Sequence, residues 1–149
     1  MVKDRIYIDT SIFGGYFDKE FEKWTKKLFE KFNEGYYTVV ISDLTLRELA
    51  DAPSKVKELE RELPREIKEY VTFDDEAELL SKTYIEEGVV SERFLLDSQH
   101  IALATVERVD VLISWNFKHI VNLSKIHLYN GVNLKKGYPL LEIRSPLEV

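Results

Sequence analysis

Cysteine is absent from the 149 residues, so neither a disulfide framework nor a thiolate metal site is open to this chain. Its three histidines lack the spacing of a zinc site. No apolar run approaches the roughly 20 residues of a membrane span. The opening MVKDRIYID has neither the apolar stretch nor the small-residue cleavage site of a signal peptide. The expectation is a soluble cytoplasmic protein with no membrane partner. Internal repeats, low-complexity tracts and linkers that would mark a second domain are also missing. Positive charge is short: 21 basic against 27 acidic residues give a net charge of -6. That departs from the basic footprint of most nucleic-acid binders. A cluster of carboxylates awaiting divalent cations would add negative charge of this kind. Local basic stretches (Lys23, Lys26, Lys27 and Lys31; Lys118 and His119; Lys135 and Lys136) read first as solvated faces and second as positive surface.

What is present is the composition of a folded protein, 44% hydrophobic and 32% charged, long enough to bury a core as one domain over residues 1–149. Ile6–Tyr7–Ile8 is a short apolar run ending in Asp9, Thr10 and Ser11. It reads as a buried central strand presenting an acid at its carboxyl edge, where open α/β sheets place their ligands. Thr10 or Ser11 can cap a following helix. Phe13–Gly14–Gly15–Tyr16–Phe17 reads as a loop or broken helical turn; the glycine pair fits neither the dinucleotide nor the Walker pattern and is taken as an elbow. Phe21, Trp24, Leu28 and Phe32 form one helical stripe, closed by Gly35. Tyr36 to Ile41 is a second buried strand. Ser42 or Asp43 caps a helix from Leu44 to about Ala50, which carries Glu48. A charged helix from Lys55 to Leu63 follows, then a strand from Tyr70 to Phe73. A helix opened by Asp74 or Asp75 ends near Gly88, and an alanine-rich helix starts at Asp97. Val111–Leu112–Ile113 is the next strand, delivering Ser114, Trp115 and Asn116 to its carboxyl end, and Leu140 to Ile143 is the last. The alternation predicts an α/β fold with a mostly parallel central sheet flanked by helices.

Asp9, Glu48 and Asp97 are thus three carboxylates delivered from separate elements, with Asn116 either a further oxygen donor or the cap of the turn into Phe117–Lys118–His119. Crowded carboxylates repel and raise one another's pKa. A hard divalent cation, Mg²⁺ or Mn²⁺, removes that cost, and it can activate water and polarise a phosphodiester. Thr10, Ser11 and Ser114 are placed to orient water or a phosphate oxygen. His100, one helical turn beyond Asp97, and His119 are assigned packing or hydrogen-bonding roles. Trp115 and Phe117 have a base-stacking reading, but core packing is the first expectation for aromatics after a buried strand.

The segments "YIDTS", "LTLREL", "LLDSQHIALA" and "DVLISWNFKHI", in that order over nearly the whole chain, resemble the PIN-domain family of metal-dependent ribonucleases, particularly VapC-type toxins of toxin–antitoxin pairs. The resemblance implies a single PIN-like domain that hydrolyses RNA with Mg²⁺ or Mn²⁺. It matches Asp9, Glu48 and Asp97 to the family's acidic metal ligands and Thr10 and Ser11 to its small hydroxyl positions. It also implies a homodimer and an antitoxin partner. Asn116 stands where many members carry a further aspartate, which implies one tightly bound ion in the substrate-free protein. Two rivals remain at this level. One is a catalytically silent PIN-fold module that binds RNA or protein. The other is phosphoryl transfer on a receiver or haloacid-dehalogenase-like fold, against which stand Ser11 two residues after Asp9 and Ser114–Trp115 ending the late strand.

Overall fold

In the computed structural model, which describes residues 2–149, β1 (Asp4–Ile8) lies in the middle of a five-stranded sheet ordered β3-β2-β1-β4-β5. Its partners are β2 (Tyr37–Ser42) on one side and β4 (Val111–Ile113) on the other. β3 (Lys68–Val71) and β5 (Ile143–Arg144) form the edges. Every pairing is parallel, with Ile6 opposite both Val39 and Val111. Parallel strands need covered faces, and the apolar runs supply them. Alternation within β1 sends Ile6 and Ile8 to one face and Tyr7 to the other.

On the first face Ile6, Ile8, Val39, Ile41 and Ile113 pack against α1 (Thr10–Gly15), α2 (Glu22–Asn33) and α4 (Ser54–Glu62) through Phe13, Leu28, Phe32 and Leu59. On the second, Tyr7, Val40 and Leu112 meet α5 (Asp75–Glu86), α6 (Leu95–Val106) and α7 (Leu123–Lys135) through Leu80, Tyr84, Ile101, Leu103 and Tyr129. The small residues Ala102 and Ala104, fully buried, let α6 approach closely. Between β2 and β3 the chain adds α3 (Asp43–Ala50), opened by Ser42, whose hydroxyl accepts the Thr45 N–H at 3.2 Å. No helix among the described residues is long and apolar enough to cross a membrane.

Four local expectations are corrected. Gly14 and Gly15 are no elbow: α1 continues through both. A Cβ on Gly15 would lie 2.6 Å from the Trp115 indole nitrogen, so the missing side chain is what admits that ring. Asp9, not Thr10 or Ser11, holds the position before α1, and its side chain makes no capping bond because it is engaged elsewhere. β3 begins two residues earlier than the β-branched run suggests, and β5 pairs over only Ile143–Arg144. α7 is an element that the apolar pattern does not announce. Gly35, at φ +81°, does end the segment after α2 in the left-handed conformation glycine tolerates.

Candidate active site

The chain turns back at β1: β2 and β3 lie on one side, β4 and β5 on the other. Loops leaving β1 and β4 therefore diverge and open a crevice at their carboxyl ends, the topological switch point of an open α/β sheet. A cavity of about 150 Å³ lies there, lined by Asp9, Thr10, Ser11, Glu48, Leu96, Asp97, His100 and Asn116. The three expected acids thus reach one cavity from the end of β1, from α3 and from the first turn of α6.

Each acid is held by its own set of donors. Asp9 is 5% exposed; Ser11 Oγ donates to its Oδ1 at 2.5 Å and Ser114 Oγ to its Oδ2 at 2.6 Å. The two hydroxyls are themselves fixed, since Ser11 Oγ accepts the Trp115 N–H and Ser114 Oγ accepts the Asn116 N–H, both at 2.9 Å. Ser11 and Ser114 thus orient the acid, where the sequence had suggested water or phosphate. Glu48 Oε1 accepts Thr10 Oγ1 at 2.7 Å and lies 3.0 Å from His100 Nε2. The other face of that imidazole, Nδ1, is 2.6 Å from the Tyr7 hydroxyl, which is 2.9 Å from Ser42 Oγ. A buried line of polar groups therefore runs from the cap of α3 through β1 and α6 to Glu48. His100 bears out a hydrogen-bonding role, but Tyr7 and Ser42 were missed. Nothing in "IYI" distinguishes a tyrosine whose hydroxyl must reach a histidine 93 residues away.

Of the two roles open to Asn116, the turn cap is the one formed. Its side-chain oxygen accepts the N–H groups of Lys118 and His119 at 3.2 and 3.0 Å, closing the turn after β4. That leaves its Nδ2 to donate to Asp97 Oδ1 at 3.2 Å. It offers the cavity an N–H, not a further oxygen. His119 packs its ring on Phe94 at 3.7 Å, with both ring nitrogens buried and unpartnered. Trp115 is buried as expected, whereas Phe117 is 44% exposed.

Burial pushes the Asp9 carboxyl above its ordinary range, against the pull of His100 and of the two serine hydroxyls. Burial raises Asp97 likewise, partly offset by His119 and Asn116. On Glu48 burial acts in the same direction, but the bonds from His100 and Thr10 outweigh it and hold the group below its usual value. Two carboxyls whose charged forms are disfavoured, beside a third that is firmly charged, form a donor set a cation would relieve. The donors are all hard oxygens. Among the described residues no three acidic or imidazole groups stand close enough to share one ion directly. The set therefore fits an ion held by one or two carboxylates and otherwise through water, which is the habit of Mg²⁺.

No protein-family model matches the sequence, and no curated protein is similar to it. Solved structures are similar. The chain resembles VapC20 of Mycobacterium tuberculosis, a toxin cleaving the sarcin–ricin loop, with a TM-score of 0.59 at 13% identity over 76% of this chain and 91% of that one. It resembles FitAcB of Neisseria gonorrhoeae with a TM-score of 0.62 at 12% identity, over 97% and 99%. It also resembles the DNA-bound VapBC of Salmonella typhimurium with a TM-score of 0.55 at 17% identity, over 98% and 99%. The chain has a PIN-like α/β fold, shared with these three structures.

Proposed function

We propose that this chain is a metal-dependent endoribonuclease whose centre is the cavity at the carboxyl edge of β1 and β4. The supporting observation is the arrival of Asp9, Glu48 and Asp97 in that one cavity, on a fold shared with a toxin that cleaves the sarcin–ricin loop. In this reading Asp9, Glu48 and Asp97 hold Mg²⁺ or Mn²⁺, one or two of them directly and the rest through water, and the ion would supply an activated water and polarise the scissile phosphodiester. The chain's own contribution is orientation. Ser11 and Ser114 fix the Asp9 carboxylate, His100 and Thr10 fix one oxygen of Glu48, and Asn116 steadies Asp97. Several similar structures are toxin–antitoxin assemblies, and the reading extends to an antitoxin protein as partner and to a homodimer.

One observation favours a second reading, a PIN fold that binds without cutting. Among the described residues no three of the acidic or imidazole groups are gathered closely enough to hold an ion together. A single experiment separates the two. Purified protein is incubated with structured and single-stranded RNAs in Mn²⁺, in Mg²⁺ and in chelator, with Asp9→Asn and Asp97→Asn alongside. The nuclease reading expects metal-dependent cleavage that falls at least a hundredfold in either variant, each still folded by circular dichroism. Undiminished cleavage in a variant contradicts the assignment. Absence of both cleavage and Mn²⁺ binding in the parent selects the binding module.

A further inference from the structure

A line of aromatic rings starts one residue beyond the lining of the acid cavity. Asn116 lines the cavity, and the next residue, Phe117, is 44% exposed. Its ring centre lies 6.4 Å from that of Phe21, which in turn stacks on Trp115 at 4.2 Å. Three residues along α2, about 4.5 Å further on, stands Trp24, 38% exposed. The Lys23 and Lys27 ammonium groups sit 5.2 and 4.6 Å from its ring centre. Lys118 adds a charge directly after Phe117. The core does not account for Trp24, since α2 buries Thr25, Leu28, Phe29 and Phe32. Ion pairing does not account for the lysines. Lys26 is paired with Glu22 at 3.5 Å, whereas among the described residues Lys23 and Lys27 have no carboxylate within pairing distance. In a chain of net charge -6, unpaired ammonium groups beside exposed rings are a local reversal of sign next to a cleft of acids.

We propose that Phe117, Phe21 and Trp24, flanked by Lys23, Lys27 and Lys118, form a track on which an unpaired RNA strand lies as it crosses the acid cavity. The rings take base faces and the ammonium groups take phosphates, the division of labour of single-strand binding surfaces. A duplex hides its base faces and gains only the charge contacts. The choice of RNA as the nucleic acid rests on the nuclease reading; the track itself rests on the rings and lysines.

The test measures binding and cutting separately. Full-length Asp97→Asn protein is titrated into a labelled RNA of about 12 nucleotides, single-stranded and as a duplex, with anisotropy read over a range of salt. Single strands bind at least tenfold more tightly than duplex. Trp24→Ala and Phe117→Ala each weaken single-strand binding about tenfold, and Trp24→Phe and Phe117→Tyr restore it. Lys23→Ala with Lys27→Ala lowers the slope of log affinity against log salt by about 1.4. Unchanged melting curves establish that the variants fold. Equal binding by the alanine variants, preference for duplex, or no RNA binding by the parent overturns the track. Cleavage in a metal-containing wild-type assay tells the two ideas apart. Cutting with track-independent binding discards the track and keeps the nuclease, while track-dependent binding without cutting does the reverse.

Discussion

Tyr7 is fully buried in the central strand, yet its hydroxyl has two partners, His100 Nδ1 and Ser42 Oγ. Burial pushes the phenol far above its ordinary range, so it stays protonated and can serve as a fixed donor. The hydroxyl donates to Ser42 Oγ and stands against His100 Nδ1, while the other ring nitrogen, Nε2, faces Glu48 Oε1. Oε2 of Glu48 has no hydrogen bond to protein among the described residues, so this arrangement leaves one oxygen free to face a cation. Tyr7→Phe keeps the ring and removes only the bond. It is expected to cost about 1–2 kcal/mol of stability and to weaken Mn²⁺ binding about tenfold, as losses in the support of metal ligands do. Calorimetric titration with Mn²⁺ reads the second effect directly. A purely structural hydroxyl would lower the melting temperature and leave Mn²⁺ affinity unchanged.

At the scale of elements, α1 makes the site's geometry depend on a glycine. Trp115 lies against Gly15, donates its indole N–H to Thr25 Oγ1 at 2.9 Å, and gives its backbone N–H to Ser11. Gly15→Ala is expected to destabilise by about 1–3 kcal/mol through overpacking and to shift Ser11 away from Asp9. Gly14→Ala meets nothing within 4 Å and is expected to be neutral or to stabilise by up to about 1 kcal/mol. Thermal melts of the pair check this, and equal effects would refute it. The same pair marks where sequence reading stops. Strands β1, β2 and β4 and helices α2 to α6 are legible because burial on one stripe or both faces leaves a periodic apolar record. Gly-Gly carries no such record, since what it accommodates is a ring a hundred residues away. α7 is illegible for another reason: Leu123, Leu128 and Leu134 are exposed, at 71%, 47% and 60%, and Gly131 interrupts it. Asp9 and Asp97 are legible as acids at element ends, and Glu48, inside α3, chiefly through the resemblance that the LTLREL segment helps to carry. The cap that Asn116 makes on the turn after β4 is legible as an alternative, but the choice between cap and ligand depends on where backbone N–H groups point, which sequence does not display.

For the whole molecule, the doubly wound sheet gathers negative charge at one edge and leaves it uncompensated by the protein. A cation that binds only the folded form stabilises it, by about 1.4 kcal/mol at ten times its dissociation constant. For a chain of this length that corresponds to a rise of roughly 3–5 °C in melting temperature. Chelated protein given Mn²⁺ is expected to show this rise with one tight site by calorimetry, and Asp97→Asn is expected to lose it. Saturating Mn²⁺ without any rise would remove the ion from the proposal. The pairing of β1 with β4 carries a last consequence, one of timing. Ser114 closes on Asp9 across 105 residues, and β4 must slot beside a strand made long before it. Such long-range parallel pairing is slow to form. A growing chain that has released β1, β2 and the first four helices has Asp9, Glu48 and the hydroxyls of Thr10 and Ser11, but no floor to the cavity. The cluster is assembled only after β4 and its serine have emerged, so any activity housed there is withheld from the nascent chain until then.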